Sequence, residues 1–204
     1  MQYRPITPKN DGWIEIFLDR EIKLQIDGMI ANAGKSVKSQ LAGNISRSQE
    51  LKPTDDFRRF IDEVIKNYQK EFDYLPRKTN VNHAETLELY DLWVNYQYAT
   101  EFNPSHVHAG VYSFVIWHTI PTDIRDQMQL SFAKETRAPC VSCFQFEYTS
   151  ICGNRKSFNY PMSPQMDGMM LFFPAELNHL VYPFYGTDDV RISVAGNLAW
   201  IPDK

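Results

Sequence analysis

The chain has 204 residues, of which 43% are hydrophobic and 14% aromatic, so it can bury the core of a globular domain. Its formal net charge of -4 gives no sign of the clustered basic surface that nucleic-acid-binding proteins carry. No stretch approaches the roughly 18 uninterrupted apolar residues of a membrane span, and the first residues lack the apolar segment of a secretion signal, so we predict a soluble, cytoplasmic protein without nucleic-acid or membrane partners.

The N-terminal part predicts a strand and then a helix. Residues Trp13–Leu18 alternate between apolar and polar side chains, as a short strand does. From Thr54 to Phe72, apolar residues recur at spacings of three and four, which is one face of an amphipathic helix. Thr54 or Asp55 can cap this helix, and Asp55 and Asp56 suit the positive end of its dipole. We predict that the helix packs on the outside of a sheet.

From residue 89 onward the sequence predicts strands, which are rich in β-branched and aromatic residues and separated by Pro, Gly, Asn and Asp. The predicted strands are Leu92–Ala99, Val111–Ile120, Val141–Ser150, Met169–Phe173, Val181–Phe184 and Val190–Trp200, with short pieces near His106 and Tyr160. A count approaching eight is typical of a double-sheet jelly roll. We predict an α+β, mainly β fold with a single domain, 1–204, in which residues 1–88 form an N-terminal strand and helical buttress and residues 89–201 the jelly-roll core.

Three histidines have separations that suit a metal site. His106 and His108 share one side of an extended backbone, and His179 can approach them from a neighbouring strand. A lone histidine is more often a hydrogen-bonded polar residue, but the joint pattern favours one ion with open positions for substrate. His83 and His118 have no partner at ligand spacing, so we predict structural or surface roles for both.

Arg191 and Ser193 lie two residues apart on a predicted strand and therefore face the same way. A guanidinium and a neighbouring hydroxyl can together bind a carboxylate, although a surface arginine in a solvated ladder is the alternative. The three cysteines, Cys140, Cys143 and Cys152, cannot all pair, and a zinc site would need a fourth ligand. We therefore predict free thiols in a reducing compartment.

Four segments together resemble the 2-oxoglutarate and Fe(II)-dependent oxygenase superfamily, and are similar to small oxygenase-like proteins encoded by phages of cyanobacteria. These segments are His106-Val-His108, Asp167–Pro174, His179 and Arg191-Ile-Ser193. The resemblance covers about residues 89–201 and implies a double-stranded β-helix. A phage origin would place the protein in the cytoplasm of the host cell.

The resemblance also implies roles for individual residues. The superfamily motif is His-x-Asp with a distant histidine, so His106 and His179 correspond to the two imidazole ligands of Fe(II). His108 stands where the carboxylate ligand is expected. Either His108 is the third ligand, or it points away and Glu147 or water completes the shell. A nitrogen-rich site also suits zinc, copper or nickel.

For the cosubstrate, the resemblance implies that Arg191, assisted by Ser193, pairs with the far carboxylate of 2-oxoglutarate. Asn95 and Gln97 match positions that contact the cosubstrate in some members. The implied protein is a non-haem Fe(II) and 2-oxoglutarate-dependent dioxygenase that hydroxylates a small-molecule or peptidyl substrate and releases succinate and CO2. Its cavity would be lined by aromatic core residues, namely Phe114, Trp117, Phe144 or Phe146.

Two alternatives stay open at this point. One is a three-histidine metal dioxygenase of the cupin kind, in which substrate binds iron directly, Arg191 holds its carboxylate and 2-oxoglutarate is not used. The other is a non-catalytic jelly-roll binding or structural module.

The polar stretches Pro121–Ala138 and Ile151–Gln165 are candidates for an active-site lid. An apolar edge strand can also pair across a homodimer.

Overall fold

The computed structural model describes residues 1–6, 10–72, 85–137 and 140–202. Its helices are α1 (Arg20–Ala31), α2 (Asp55–Glu71) and the single turn α3 (Ile124–Gln127). Its strands are β1 (Ile14–Phe17), β2 (Arg47–Glu50), β3 (Glu85–Gln97), β4 (Asn103–His106), β5 (Tyr112–Thr119), β6 (Cys143–Thr149), β7 (Arg155–Pro161), β8 (Met169–Pro174), β9 (Asn178–Val181) and β10 (Arg191–Pro202).

The strands form two antiparallel sheets. The larger sheet has the order β1-β8-β5-β10-β3-β2, and the smaller has the order β4-β9-β6-β7. Neighbours in each sheet are mostly distant in sequence, as in a jelly roll. The predicted fold class, a mainly β jelly roll with N-terminal helices on one sheet, is therefore confirmed. Among the described residues, no helix is long and apolar enough to cross a bilayer.

Helices α1 and α2 cover the outer face of the larger sheet. Each begins at a capping side chain: Asp19 accepts from the Ile22 amide at 2.9 Å, and Thr54 accepts from the Phe57 amide at 3.1 Å. The apolar stripe of α2 is buried as its spacing predicts, with Tyr68 fully enclosed. Both helices share one apolar cluster with the outward-facing residues of the sheet.

Side chains along the strands of the larger sheet point alternately to its two faces and so belong to two separate apolar cores. Met170 and Phe172 on β8 pack toward the helices, whereas Leu171 and Phe173 pack toward the smaller sheet. We call the side turned toward the smaller sheet the inner face. The antiparallel register between β10 and β3 places four pairs of residues opposite one another on that face, and three of these pairs are polar. These pairs are Arg191 with Gln97, Ser193 with Asn95, Ala195 with Trp93, and Asn197 with Asp91.

Several predicted boundaries need correction. The strand predicted at Val181–Phe184 is β9 at Asn178–Val181 instead, because Pro183 has no amide hydrogen to donate to a ladder. Neither α1 nor β2 was predicted. Residues 151–165, predicted as a lid, contain β7, which pairs with β6 along its length.

Candidate metal centre

The structure brings the three histidines His106, His108 and His179 together between the two sheets. His106 ends β4 and is the cross-strand partner of His179 on β9. His108 follows two residues later, where its amide donates to the carbonyl of Ala175 at 2.9 Å. One ligand nitrogen from each imidazole lies within 4.8 Å of the others. Residues more than 70 positions apart in sequence thus form one cluster, which we call the histidine cluster.

Backbone carbonyls orient two of the imidazoles. The Nδ1–H of His106 donates to the Pro104 carbonyl at 2.7 Å, and that of His179 donates to the Leu177 carbonyl at 2.8 Å. These bonds fix the tautomer and leave the Nε2 lone pair of each ring free to bind a metal.

Burial keeps the cluster neutral. It lowers the pKa of His108 to about 4, with the nearby His106 as a second cause. Burial likewise lowers the pKa of His106, and it lowers that of His179 well below the ordinary value. The ring of Phe173 lies 4.9 Å from that of His179 and helps to exclude water. Neutral imidazoles are the form that binds metal.

The residues present fit a divalent transition metal. Nε2 of His108 lies 3.2 Å from Nε2 of His179. Two nitrogens each about 2.1 Å from one ion have this separation at an angle of about 100°. Glu147, considered as an alternative ligand, is not in the cluster. It accepts from Ser105 and pairs with Arg155, and it lies on the opposite face of β6 from Phe146, the cross-strand partner of His179.

Arg191 is a buried cation on the same inner face. The residue is 1% exposed, and burial lowers the pKa of its guanidinium to about 9. It donates to Gln97 Oε1 and the Tyr182 carbonyl, both at 3.3 Å, and to Ser142 Oγ at 2.6 Å. All three acceptors are uncharged. No aspartate or glutamate in the described part of the chain forms an ion pair with Arg191, so an anionic ligand is its natural partner.

The other predicted cosubstrate residues lie near Arg191 in different roles. Gln97 accepts from Arg191, and its own amide donates to the Glu101 carbonyl at 2.6 Å, so it acts as a support. Asn95 accepts from Ser48 at 2.7 Å. Asn95, Gln97 and Ser193 are all buried and line the small cavity that the histidine cluster closes.

Polar atoms without partners are concentrated around this cavity. Of the buried polar side-chain atoms that lack a hydrogen bond among the described residues, Trp93 Nε1, Trp117 Nε1 and Asn103 Oδ1 belong to residues that line it. Arg191 Nε, another such atom, belongs to the cation at one end of the same face. Three of these four atoms are donors, so the cavity suits a ligand rich in oxygen and negative charge.

Sequence reasoning missed Ser142. It is fully buried between β6 and the loop before β10, with a positive φ of 50°. Its amide donates to the Pro183 carbonyl at 2.9 Å, and its carbonyl accepts from the Met162 amide at 3.1 Å. These bonds hold its hydroxyl against Arg191, 49 positions away. No local motif could signal a contact that depends on the tertiary fold.

On the expectation from the sequence resemblance that Arg191 binds the far carboxylate of 2-oxoglutarate, Ser142→Ala should raise the KM for 2-oxoglutarate about tenfold or more while kcat falls little, because hydrogen bonds to a charged group contribute about 1.5–3 kcal/mol. The substitution leaves Arg191 in place but frees one of its amino groups. Steady-state kinetics with 2-oxoglutarate as the varied substrate checks this expectation. Ser131→Ala, at an exposed position, is the control, and an equal loss in both variants would contradict it.

A second expectation concerns acid stability. Between its ordinary pKa of 6.5 and about 4, His108 binds a proton in the unfolded chain but not in the folded one. The free energy of unfolding of the metal-free protein should therefore fall as the pH falls through this window, by at most about 1.4 kcal/mol per pH unit for one histidine. Urea unfolding at several pH values checks this, and His108→Gln should show a shallower slope. Equal slopes would contradict it.

A cleft of about 360 Å³ opens beside the histidine cluster. Its lining comes from residues 35–42, from residues 50–53 before α2, from β3 and from residues 106–109. This volume is in the range of small-molecule sites. The two predicted lid stretches, 121–138 and 151–165, contribute no described residue to the cleft, whose wall on this side is formed by the connection between α1 and β2 instead.

Of the described residues, His118 and the three cysteines lie outside the cluster. His118 bonds to Asp27 on α1 through Nε2 at 2.7 Å and to Thr119 through Nδ1 at 2.8 Å, which is a structural tie between helix and sheet. His83 lies outside the described residues. Cys143 and Cys152 are free thiols, and burial raises the pKa of Cys143 to about 11. A thiol with that pKa is inert.

Solved structures with the same fold include several oxygenases. A prolyl-4-hydroxylase from Pseudomonas putida aligns with a TM-score of 0.51 at 14% identity, covering 95% of this chain and 94% of that one. A 2OG-Fe(II) oxygenase family oxidoreductase from Burkholderia pseudomallei aligns with a TM-score of 0.51 at 11% identity, covering 92% of this chain and 85% of that one. At these identities the likeness shows the fold alone.

A sequence-family comparison gives the family. No curated protein matches the chain significantly. The family model described as "Putative 2OG-Fe(II) oxygenase" matches residues 91–197, which is more than half of the chain and contains the histidine cluster and Arg191. The superfamily resemblance stated from the sequence is thereby confirmed, and the chain belongs to the 2OG-Fe(II) oxygenase family.

Proposed function

We propose that the protein is a non-haem Fe(II) and 2-oxoglutarate-dependent dioxygenase that hydroxylates a C–H bond of a small-molecule or peptidyl substrate. One observation carries the proposal: the buried guanidinium of Arg191 has only uncharged hydrogen-bond acceptors among the described residues, and Arg191 lies on the inner face next to Gln97 and Ser193, which line the cavity beside the histidine cluster. A buried, unpaired cation beside neutral metal ligands suits a cosubstrate that chelates a metal at one end and carries a carboxylate at the other.

Each part of the site has a task in this reaction. His106, His108 and His179 would hold Fe(II) through their Nε2 atoms. Arg191 would bind the far carboxylate of 2-oxoglutarate, held in position by Ser142 and Gln97. When bound, iron and 2-oxoglutarate supply the oxygen chemistry, in which one atom of O2 enters the substrate as hydroxyl and the other enters succinate as CO2 is lost.

The surroundings keep water away from the reacting atoms. Phe144 and Phe173 are each 1% exposed and pack against the ring of His179, at 5.8 and 4.9 Å between ring centroids. Trp117 adds to the apolar lining of the cavity. The sequence also predicted Phe114 there, but its ring packs against Phe57 in the cluster on the helix side of the sheet. A dry cavity prevents side reactions of the oxidant and strengthens the electrostatic hold of Arg191 on its carboxylate.

The third histidine bears on the alternative of a cupin-type dioxygenase. Three neutral imidazoles leave the site more positive than two imidazoles and a carboxylate would, which favours an anionic chelator. Arg191 equally suits a substrate carboxylate, so the geometry at the metal does not separate the two activities. The inner face supports 2-oxoglutarate, because the unpartnered indole donors belong to Trp93 and Trp117, which line the cavity beside the metal ligands, and the cation Arg191 lies on the same face.

The test is succinate release. Protein purified without a histidine tag is incubated with Fe(II), 2-oxoglutarate and oxygen, and succinate is quantified. We expect succinate to form only when Fe(II), 2-oxoglutarate and oxygen are all present. One bound iron per chain without succinate would support the cupin-type alternative and overturn the proposal. A chain that binds no iron would support a non-catalytic module.

A further inference from the structure

The cleft beside the metal ligands continues the inner face of β3 beyond the cosubstrate residues. Asp91 and Trp93 lie two positions apart on β3 and both line the cleft. Side chains two residues apart face the same way and are about 7 Å apart along a strand. The ring of Trp93 lies 5.9 Å from that of His108. A molecule in the cleft can therefore contact the histidine cluster at one end and Asp91 at the other.

The charged groups of the cleft leave Asp91 without a cation. Lys35 lies 4.0 Å from Glu50, and Arg58 donates to the Leu89 carbonyl at 3.0 Å. No lysine or arginine within the described ranges lies within ion-pairing distance of Asp91. Partial burial raises the pKa of Asp91, a hydrogen bond with the neutral Asn197 opposes this rise, and repulsion from the carboxylate of Glu50 adds to it. A cation bound there would relieve this repulsion.

Trp93 gives an independent sign of a ligand. The residue is only 6% exposed, and its indole N–H has no acceptor among the described residues. It lines the cleft and the inner cavity, with Val37 and Leu41 packed against it. A buried donor at this position is satisfied when a ligand presents an oxygen. The indole face can also stabilise a nearby cation.

Building on the proposed function, we propose that the substrate carries an ammonium group, which Asp91 binds with help from Glu50, while an oxygen of the substrate accepts from the indole N–H of Trp93. Because Asp91 lies beyond Trp93 as seen from the metal ligands, the carbon that is oxidised lies several bonds from the ammonium nitrogen. This combination of groups is that of a basic amino acid or a basic residue in a peptide. The walls at residues 35–42 and 50–53 then act as the specificity-determining elements.

The experiment uses the full chain labelled with 5-fluorotryptophan, without added metal or 2-oxoglutarate. The chain has four tryptophans, and Trp93→Phe assigns the fluorine signal of Trp93. The probes are the N-acetyl amides of diaminobutyric acid, ornithine and lysine. Each is compared with the alkyl amino acid of the same length, in which a methyl group replaces the ammonium. We expect a saturable shift of the Trp93 signal with at least one ammonium probe and a weaker one with its alkyl counterpart.

Asp91→Asn should weaken that binding about two- to fivefold, which is the range expected for a partly exposed ion pair. Glu50→Gln should weaken probe binding less than Asp91→Asn does. Asp126 is exposed on α3 and lies outside the cleft, so Asp126→Asn should leave probe binding unchanged. Equal binding of ammonium and alkyl probes, no binding of either, or unchanged binding to Asp91→Asn would overturn the proposal. Because this titration needs neither iron nor 2-oxoglutarate, its failure is separate from a failure to release succinate.

Discussion

We expect His179→Gln to abolish stoichiometric Fe(II) binding and, with it, all succinate formation. The imidazole of His179 lies 4.2 Å from the ring of His106 and 5.0 Å from that of His108, with Nε2 3.2 Å from that of His108 and Nδ1 bound to the Leu177 carbonyl. Loss of a residue that only orients a ligand typically costs 10–100-fold in metal affinity, so loss of the ligand itself should cost at least about 100-fold. Equilibrium dialysis with Fe(II) under anaerobic conditions gives the affinity directly.

His118→Gln is the matched control, because it removes the same side chain from a place outside the cluster. His118 pairs with Asp27 at the surface, where both side chains are partly exposed, so its loss should cost only about 0.2–1 kcal/mol of stability and leave iron binding unchanged. If both variants lost iron equally, or if His179→Gln retained it, the assignment of the metal ligands would be wrong.

Arg191→Met should raise the KM for 2-oxoglutarate by about 100-fold or more, because removing one partner of a buried, hydrogen-bonded charge pair costs roughly 2–5 kcal/mol. Iron binding should be unaffected, since Arg191 contacts none of the histidines. The KM of Arg191→Lys for 2-oxoglutarate should fall between those of the wild type and Arg191→Met. Lysine keeps the positive charge but lacks the forked guanidinium that contacts Ser142 and Gln97 together.

Arg125→Met serves as the control for Arg191→Met. Arg125 is exposed and pairs with Asp123 on its own turn, so its loss should change neither KM nor iron affinity. A normal KM in Arg191→Met with reduced binding of some other carboxylate would instead support direct substrate binding by this arginine, as in the cupin-type alternative.

The strongly patterned elements could be predicted from the sequence. Helix α2 has a buried face at regular helical spacing and a capping Thr54, and both are present. Strand β8 is a continuous apolar run that is buried throughout. By contrast β2, with the sequence Arg-Ser-Gln-Glu, has no apolar residue, and it lies at the edge of the larger sheet, where it pairs with β3 on one side and forms a single bridge from Gln49 to Ser36 on the other. Its position depends on that pairing and not on its composition.

Helix α1 was missed for a related reason. Only Ile26 and Met29 of this helix are buried, and Gly28 weakens the local signal. The helix is held by packing on the sheet and by the tie between Asp27 and His118, which are 91 positions apart. Tertiary contacts of this kind leave no trace in a window of ten or fifteen residues.

Some residues of the candidate site could also be predicted from the sequence, and others could not. His106, His108, His179 and Arg191 could be proposed because rare residue types at defined spacings carry the information. The support of Arg191 by Ser142 and the cleft wall at residues 35–42 could not, because common residues become significant only through contacts that the fold creates. Asp91 and Asn197 illustrate the same limit, since their alignment on the inner face depends on the register between β3 and β10.

Anaerobic calorimetric titration of 2-oxoglutarate is the measurement that tests most directly whether the histidine cluster and Arg191 form one site. We predict one 2-oxoglutarate per chain for the Fe(II)-loaded protein, with affinity that falls strongly when iron is omitted and also when Arg191 is replaced by Met. Binding of the same strength with and without iron, or in wild type and Arg191→Met alike, would contradict a shared site for metal and cosubstrate.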